Sequence, residues 1–240
     1  RAATIDLVLI REQTEGLFSA RQQRDADPDS ASDVMKITRA GAARLFDFAV
    51  NLTRRRKAAG HAGRLTLVDK ANVLNSMAFF REVFDQRLAP HGDISGDYVY
   101  VDAAALNLVR APWDYDVMVT ENMFGDILSD LGAGLVGGMG MAPSGDIGLN
   151  HALFQPAHGT APDIVGQGKA NPTAMILSAG MMLDWLGDRH GDPAARRAGD
   201  MICAAVDSAY GAGDLVPHEH GGAAGTGDIQ AAVLDALAAL

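Results

Sequence analysis

Apolar runs of strand length alternate along the chain with longer segments whose apolar residues recur every three or four positions. Ile5–Ile10, Leu65–Asp69, Tyr98–Asp102, Asp116–Thr120 and Leu153–Pro156 read as buried strands. Arg39–Arg56, Met77–Gln86, Phe124–Leu135, Pro172–Leu186, Ala194–Tyr210 and Thr226–Leu240 read as helices. In the first of these, Leu45, Phe46, Ala49, Val50 and Thr53 recur at helical spacing. Buried strands alternating with helices predict an α/β fold with a largely parallel sheet. Two stretches lack any period. Residues 21–33 are polar and contain Pro28, which reads as a long loop or arm. Residues 137–149 are rich in glycine and contain Pro143, which reads as a linker. A domain boundary near Gly137 divides the chain into residues 1–137 and 138–240. The chain opens on Arg1 and enters its first strand almost at once, which reads as a truncated or processed start.

Composition narrows the function classes. Twenty basic against thirty acidic residues leave a net charge of −10, which disfavours a nucleic-acid backbone as partner. The one basic cluster, Arg54-Arg55-Arg56-Lys57, reads as a solvated helix end. A single cysteine, Cys203, permits no intrachain disulfide and fits a reducing cytoplasm. It sits in an apolar helical pattern and reads as a core thiol. No apolar stretch approaches the ~20 residues of a membrane span, and no signal peptide is visible.

Several polar groups punctuate this pattern. Asp126 and Asp130 stand four apart, hence on one face of a helix, where two like charges repel. A divalent cation such as Mg²⁺ or Mn²⁺ reverses that sign, since hard oxygen ligands suit it; a solvated acidic face has the same spacing. Asp102 and Lys70 each close an apolar strand run, where α/β proteins often place functional groups. A helix cap and a surface lysine are the plainer alternatives. In His158-Gly159-Thr160-Ala161-Pro162-Asp163 a compact turn carries polar groups, and Asp163 could accept hydrogen bonds from ribose hydroxyls. Gly132-Ala133-Gly134-Leu135-Val136-Gly137 matches a dinucleotide fingerprint in the wrong context. It closes a helix instead of following a strand, and so reads as a helix end.

Taken in order, these stretches resemble the β-decarboxylating dehydrogenases, the isocitrate/isopropylmalate dehydrogenase family. The matching segments are Arg11–Gly16, Val68–Leu74, Thr120–Asp130, Met141–Gly148, His158–Ile164 and Ala170–Ala174. The resemblance implies an isopropylmalate-dehydrogenase-like two-domain fold, with the N-terminal part of the dinucleotide domain absent from this chain. It implies NAD-dependent, Mg²⁺- or Mn²⁺-dependent oxidative decarboxylation of a substituted malate. Arg11 would bind a substrate carboxylate, and Lys70 would take the proton of the 2-hydroxyl. Asp102, Asp126 and Asp130 would hold the metal. Asn72 would lie near the nicotinamide; His158, Gly159, Thr160, Ala161 and Asp163, with Asn171, would cradle the adenosine half. Lys70 and Asp102 would serve the neighbouring subunit's site, so the resemblance implies a cytoplasmic homodimer with shared active sites, clasped by the arm at residues 21–33. The chain departs at Phe18, where the family carries a tyrosine that protonates the enolate. That departure opens a second expectation, a non-catalytic subunit or pseudoenzyme.

Overall fold

The computed structural model describes residues 5–20, 27 and 29–240, so most of the polar arm at 21–33 lies outside the described residues. The chain forms two compact units, Arg1–Gly132 and Ala133–Leu240.

The first unit runs β1 (Val8–Arg11), α1 (Arg39–Ala58), β2 (Arg64–Asp69), α2 (Asn75–Leu88), β3 (Ser95–Tyr100), α3 (Val101–Arg110), β4 (Val117–Thr120) and α4 (Asn122–Leu135). All four strands are parallel, in the order β1-β4-β2-β3. The two inner strands are apolar runs because both their faces are covered: Leu65, Leu67, Val68, Val117, Met118 and Val119 are fully buried. Against them α1 and α2 lay Phe46, Phe80 and Phe84, with ring centroids 4.6 Å (Phe46–Phe80) and 5.2 Å (Phe46–Phe84) apart. Tilted and edge-on contacts of this kind suit the ring quadrupole.

Register decides where the polar ends fall. Arg11 pairs with Thr120, Val68 with Thr120, and Asp69 with Tyr100. The carboxyl ends of all four strands therefore finish abreast, and Arg11, Lys70, Asp102 and the start of α4 emerge along one edge of the sheet.

The second unit pairs β5 (Pro143–Ile147) with β6 (Ala152–Pro156) in an antiparallel hairpin, followed by α5 (Thr173–His190), α6 (Pro193–Gly211) and α7 (Thr226–Ala238). Ala205, Val206 and Val233 form a small core between α6 and α7.

Four sequence readings are corrected here. The glycine-rich stretch at 137–149 contains a strand, β5. Gly145 lies against the Phe154 ring, where a Cβ would stand 3.0 Å away, so the residue that looks like a linker signal packs closely across the hairpin. The strand read to Asp102 ends at Tyr100, and α3, missed from the pattern, follows with no intervening turn. The basic run is no solvated end. Arg56 Nε sits 2.6 Å from buried Asp116, which also accepts from the Gly63 amide at 2.7 Å, and Arg54 pairs with Asp93 at 2.7 Å. That guanidinium holds the Asp93 carboxyl down at about 2. Cys203 lies on the exposed side of α6 and not in a core, and desolvation, and after it Asp207, Asp200 and Asp184, pushes its pKa up.

Asp69 is the most costly group in this unit. It is fully buried at the end of β2, and Arg81 on α2 meets both its oxygens, at 2.7 and 2.8 Å. Replacing Arg81 by Met leaves a buried carboxylate without its cation, which typically costs about 3–5 kcal/mol. Urea unfolding of Arg81→Met should show a loss of that size; a loss below about 1 kcal/mol would show that Asp69 finds another partner or its proton.

Candidate active site

Two glycines allow the first half of the site to assemble. Arg11 closes β1 and must cross the first turn of α4. A Cβ on Gly125 would stand 2.6 Å from Arg11 Cγ, so only glycine admits the arginine stem there. Having crossed, the guanidinium donates from Nε to Asn122 Oδ1 at 2.9 Å and from NH1 to Asp126 Oδ1 at 2.5 Å. Asn122 in turn donates to the Glu15 carbonyl at 3.2 Å. The second glycine, Gly16, has φ +87°, and a Cβ on it would stand 2.7 Å from Glu121 Oε2. Glu12 is buried at the base of this loop, accepting from the Thr14 and Glu15 amides at 2.7 and 2.6 Å. The Phe18 ring lies half open to solvent with the Arg11 guanidinium 5.9 Å from its centroid.

Asp126 and Asp130 both lie exposed on α4, one turn apart. The helix runs on through Gly132 and ends at Leu135, followed by Gly137 and Gly138 at φ +114° and +120°. The Gly-x-Gly-x-x-Gly string is therefore a helix terminus, as its context indicates.

The second cluster stands at the ends of β2 and β3. Lys70 Nζ donates to Asp102 Oδ1, and this hydrogen bond is the main reason the Asp102 carboxyl lies below its usual range; its own amide adds to the effect. Asp102 occupies the first turn of α3, where the helix dipole favours an anion. Lys70 also lies 5.5 Å from the centroid of Tyr100, and the Arg81 guanidinium 4.5 Å from that of Tyr98. Asn72 is exposed in the turn that follows.

These side chains thus form two groupings within one chain, Arg11–Asn122–Asp126 and Lys70–Asp102. Among the described residues, no three His, Cys, Asp or Glu side chains converge tightly enough to hold a metal. The donor chemistry still fits a hard cation at Asp126 and Asp130, two open carboxylates on one helix face.

In the second unit, His158, Gly159, Thr160 and Ala161 line a cleft of about 230 Å³ together with Gly168 and Thr226. That is smaller than the ~300–1,000 Å³ of most ligand pockets, so it suits part of a cofactor. Ala161 is held at φ +43°, a conformation costly for a residue with a Cβ. Asp163 is exposed in the 3-10 turn just beyond. Asn171 is not among the lining residues. It donates to Glu219 Oε1 at 2.6 Å and accepts from the Thr173 amide at 3.0 Å, fastening the start of α5.

Sequence reasoning passed over Glu121, Asn122, Arg81, Tyr100 and Thr226. Arg81 had a usable signal, because an acid ending the buried run Leu65–Asp69 requires a cation nearby. Glu121 is fully buried, and its Oε1 accepts from the Phe124 amide at 2.7 Å. Burial is the leading cause that raises its pKa above the usual glutamate range; the Phe124, Met123 and Leu17 amides and Arg11 oppose it. An acid with a raised native pKa keeps its proton after the unfolded chain has released it. Its contribution is therefore present below the unfolded value near 4.5 and is lost as pH rises through the native one. Glu121→Gln should accordingly gain stability relative to the parent protein between pH 4 and pH 7 in urea titrations. A stability difference that does not change with pH contradicts this.

The sequence profile described as isocitrate/isopropylmalate dehydrogenase matches residues 1–233. A 3-isopropylmalate/3-methylmalate dehydrogenase of Methanocaldococcus jannaschii is 45% identical over 77% of this chain and 55% of its own length. An isocitrate/homoisocitrate dehydrogenase of Thermus thermophilus is 41% identical over 98% of this chain and 67% of its own. The crystal structure of isocitrate dehydrogenase from Methylococcus capsulatus superposes with a TM-score of 0.84 at 36% identity, covering 96% of this chain and 67% of that one. The chain spans about half the length of several curated relatives it matches, 55% of two and 47% of a third.

Proposed function

This chain belongs to the isocitrate/isopropylmalate dehydrogenase family, and we propose on that premise that it serves NAD-dependent, divalent-metal-dependent oxidative decarboxylation of a 2-hydroxy acid of the substituted-malate type. The observation that carries this reading is the single edge of the parallel sheet from which Arg11, Lys70, Asp102 and the Asp126 helix all emerge. Ligands of open α/β sheets bind outside the carboxyl ends of the strands.

Arg11 has five N–H donors, of which the bonds to Asn122 and Asp126 use two, leaving donors for a substrate carboxylate. Lys70 takes the proton of the 2-hydroxyl, and Asp102 beside it holds the amine in place. Asp126 and Asp130 of one subunit, with Asp102 of another, would hold Mg²⁺ or Mn²⁺. The cleft from His158 to Ala161 would hold the adenosine half of NAD and Asp163 would accept from its ribose; Asn72 would serve the nicotinamide half, and Asn171 fixes the start of α5. NAD would supply a hydride acceptor and the metal a Lewis acid for the oxidation and loss of CO₂.

The two separate groupings support a homodimer with shared sites, in which Lys70 and Asp102 of one copy would complete Arg11, Asp126 and Asp130 of the next. Leu106 and Val109 on α3 and Ile127 on α4 are 54%, 60% and 57% exposed, an apolar surface consistent with such pairing. A cytoplasmic location goes with this reading on the strength of the lone cysteine. Among the described residues, no helix is long and apolar enough to cross a membrane.

Phe18 favours a second reading, a non-catalytic family member. Its ring stands beside Arg11 and carries no hydroxyl to protonate an enolate. The two readings separate in one experiment: NADH formation with Mn²⁺ on D-malate, tartrate, isocitrate and isopropylmalate. Turnover of one substrate, lowered about 10²- to 10⁴-fold by Lys70→Ala, supports the enzyme. No turnover of any, with recovery in Phe18→Tyr, supports the non-catalytic reading.

The metal assignment has its own check. Mn²⁺ should raise the melting temperature of the parent protein and leave that of Asp126→Asn/Asp130→Asn unchanged; equal shifts in both would remove these residues from the metal site. Mixing Lys70→Ala with Asp126→Asn chains should restore activity neither has alone if sites are shared between subunits.

A further inference from the structure

Glu121 is buried without exposure between β4 and α4, and the reaction described above makes no use of it. Its two oxygens face different elements. Oε1 accepts from the Phe124 amide and closes the first turn of α4, which begins at Asn122 and carries Asp126 four residues later. Oε2 meets no donor in hydrogen-bonding geometry and presses instead against the Gly16 turn, where only a residue without a Cβ fits. That turn follows directly on Arg11 and leads into Leu17 and Phe18, whose backbone forms a 3-10 turn.

We propose that Glu121 is a positioning residue: its carboxyl locks the Gly16–Leu17 turn against the first turn of α4 and so keeps Arg11 and Asp126 in one fixed frame. The functional meaning of that frame rests on the proposed reaction, in which one of these groups grips the substrate and the other its metal. The Gly16 amide donates to the Lys36 carbonyl at 2.9 Å, which ties the turn to the segment before α1; toward α4 the turn faces Glu121 and Asn122. Asn122 reaches the same loop only through its side chain, by one bond to the Glu15 carbonyl, and it is itself tied to Arg11. The geometry also explains why a residue with a long side chain stands where helices usually start with a short one. The short residues satisfy the amides of the turn but do not extend to the opposite loop.

Two variants test this in the full protein. Glu121→Ala removes both contacts; Glu121→Gln keeps the shape and the acceptor for Phe124. The alanine variant should raise the KM for the hydroxy acid and the half-saturating Mn²⁺ concentration together by about tenfold, because small misplacements of binding groups have effects of that order or more. Its KM for NAD should not change, and the glutamine variant should restore the parent values. Amide hydrogen exchange gives a readout that needs no turnover: in the alanine variant, the amides of Leu17 and Phe124 should both exchange faster, and in the glutamine variant neither of them. Faster exchange at Phe124 alone, or a lowered melting temperature with every KM unchanged, assigns Glu121 to helix capping only and overturns the proposal. If the parent protein turns over no substrate, the proposed reaction falls and the exchange measurement alone decides this inference.

Discussion

The parallel register of four strands is the constraint on which the rest of this structure depends. Side chains alternate faces along a strand, so a slip of one residue would turn every core position of β2 or β4 to the opposite face. The pairing Arg11–Thr120–Val68 is fixed by the burial of Leu65, Leu67, Val117 and Val119 below it. That hydrophobic bookkeeping sets the height at which each strand ends. The polar residues that follow the strand ends, Lys70, Asn122 and Asp102 among them, are therefore delivered to one edge by packing decisions made elsewhere in the sheet. Loops and helix starts then aim the side chains within each grouping along that edge.

Aiming is done by charge. Two of the three carboxylates proposed to serve the metal are oriented in this way: Asp126 by Arg11, and Asp102 by Lys70 together with the α3 dipole. The exposed pairs contribute little to stability, so their value lies in orientation. The opposite holds one layer down. Asp69 with Arg81 and Asp116 with Arg56 are buried pairs whose loss is costly, and they stand at the two ends of the sheet, behind the active edge and at its far rim. Buried pairs underlie exposed ones, which is how a site can hold its geometry while its charged groups remain available to a ligand.

Much of this was legible in the sequence, and the omissions have definite causes. The strands β2 and β4 and all helices but α3 announced themselves because burial on one face or two leaves a period. The family resemblance drew on the same stretches, and the two-domain α/β class follows from both. Strand β5 escaped because Gly145 and Pro143 look like turn residues, and the reason for a glycine there, the Phe154 ring against it, lies nine residues away in the chain. Helix α3 escaped because a strand running directly into a helix offers no punctuation. In the site, Arg11, Lys70 and the acids were visible as residues but their pairing was not, since Arg11 and Asp126 are 115 positions apart. Glu121 was invisible for a different reason: a glutamate between a buried strand and a helix looks like solvated surface until the fold covers it.

Glycine carries more of the design than any catalytic candidate does. Gly125 gives passage to the Arg11 stem, and Gly16 gives room to the Glu121 carboxyl. Either one replaced by alanine would force apart the two segments that the proposed reaction needs in contact. A side chain at Gly125 would push against the arginine itself; one at Gly16 would push against the residue that holds the loop, and would add the strain of a positive φ. Gly125 and Gly16 therefore mark where β1 and the loop after it come close to the start of α4, and that is where the proposed substrate-binding and metal-binding groups meet.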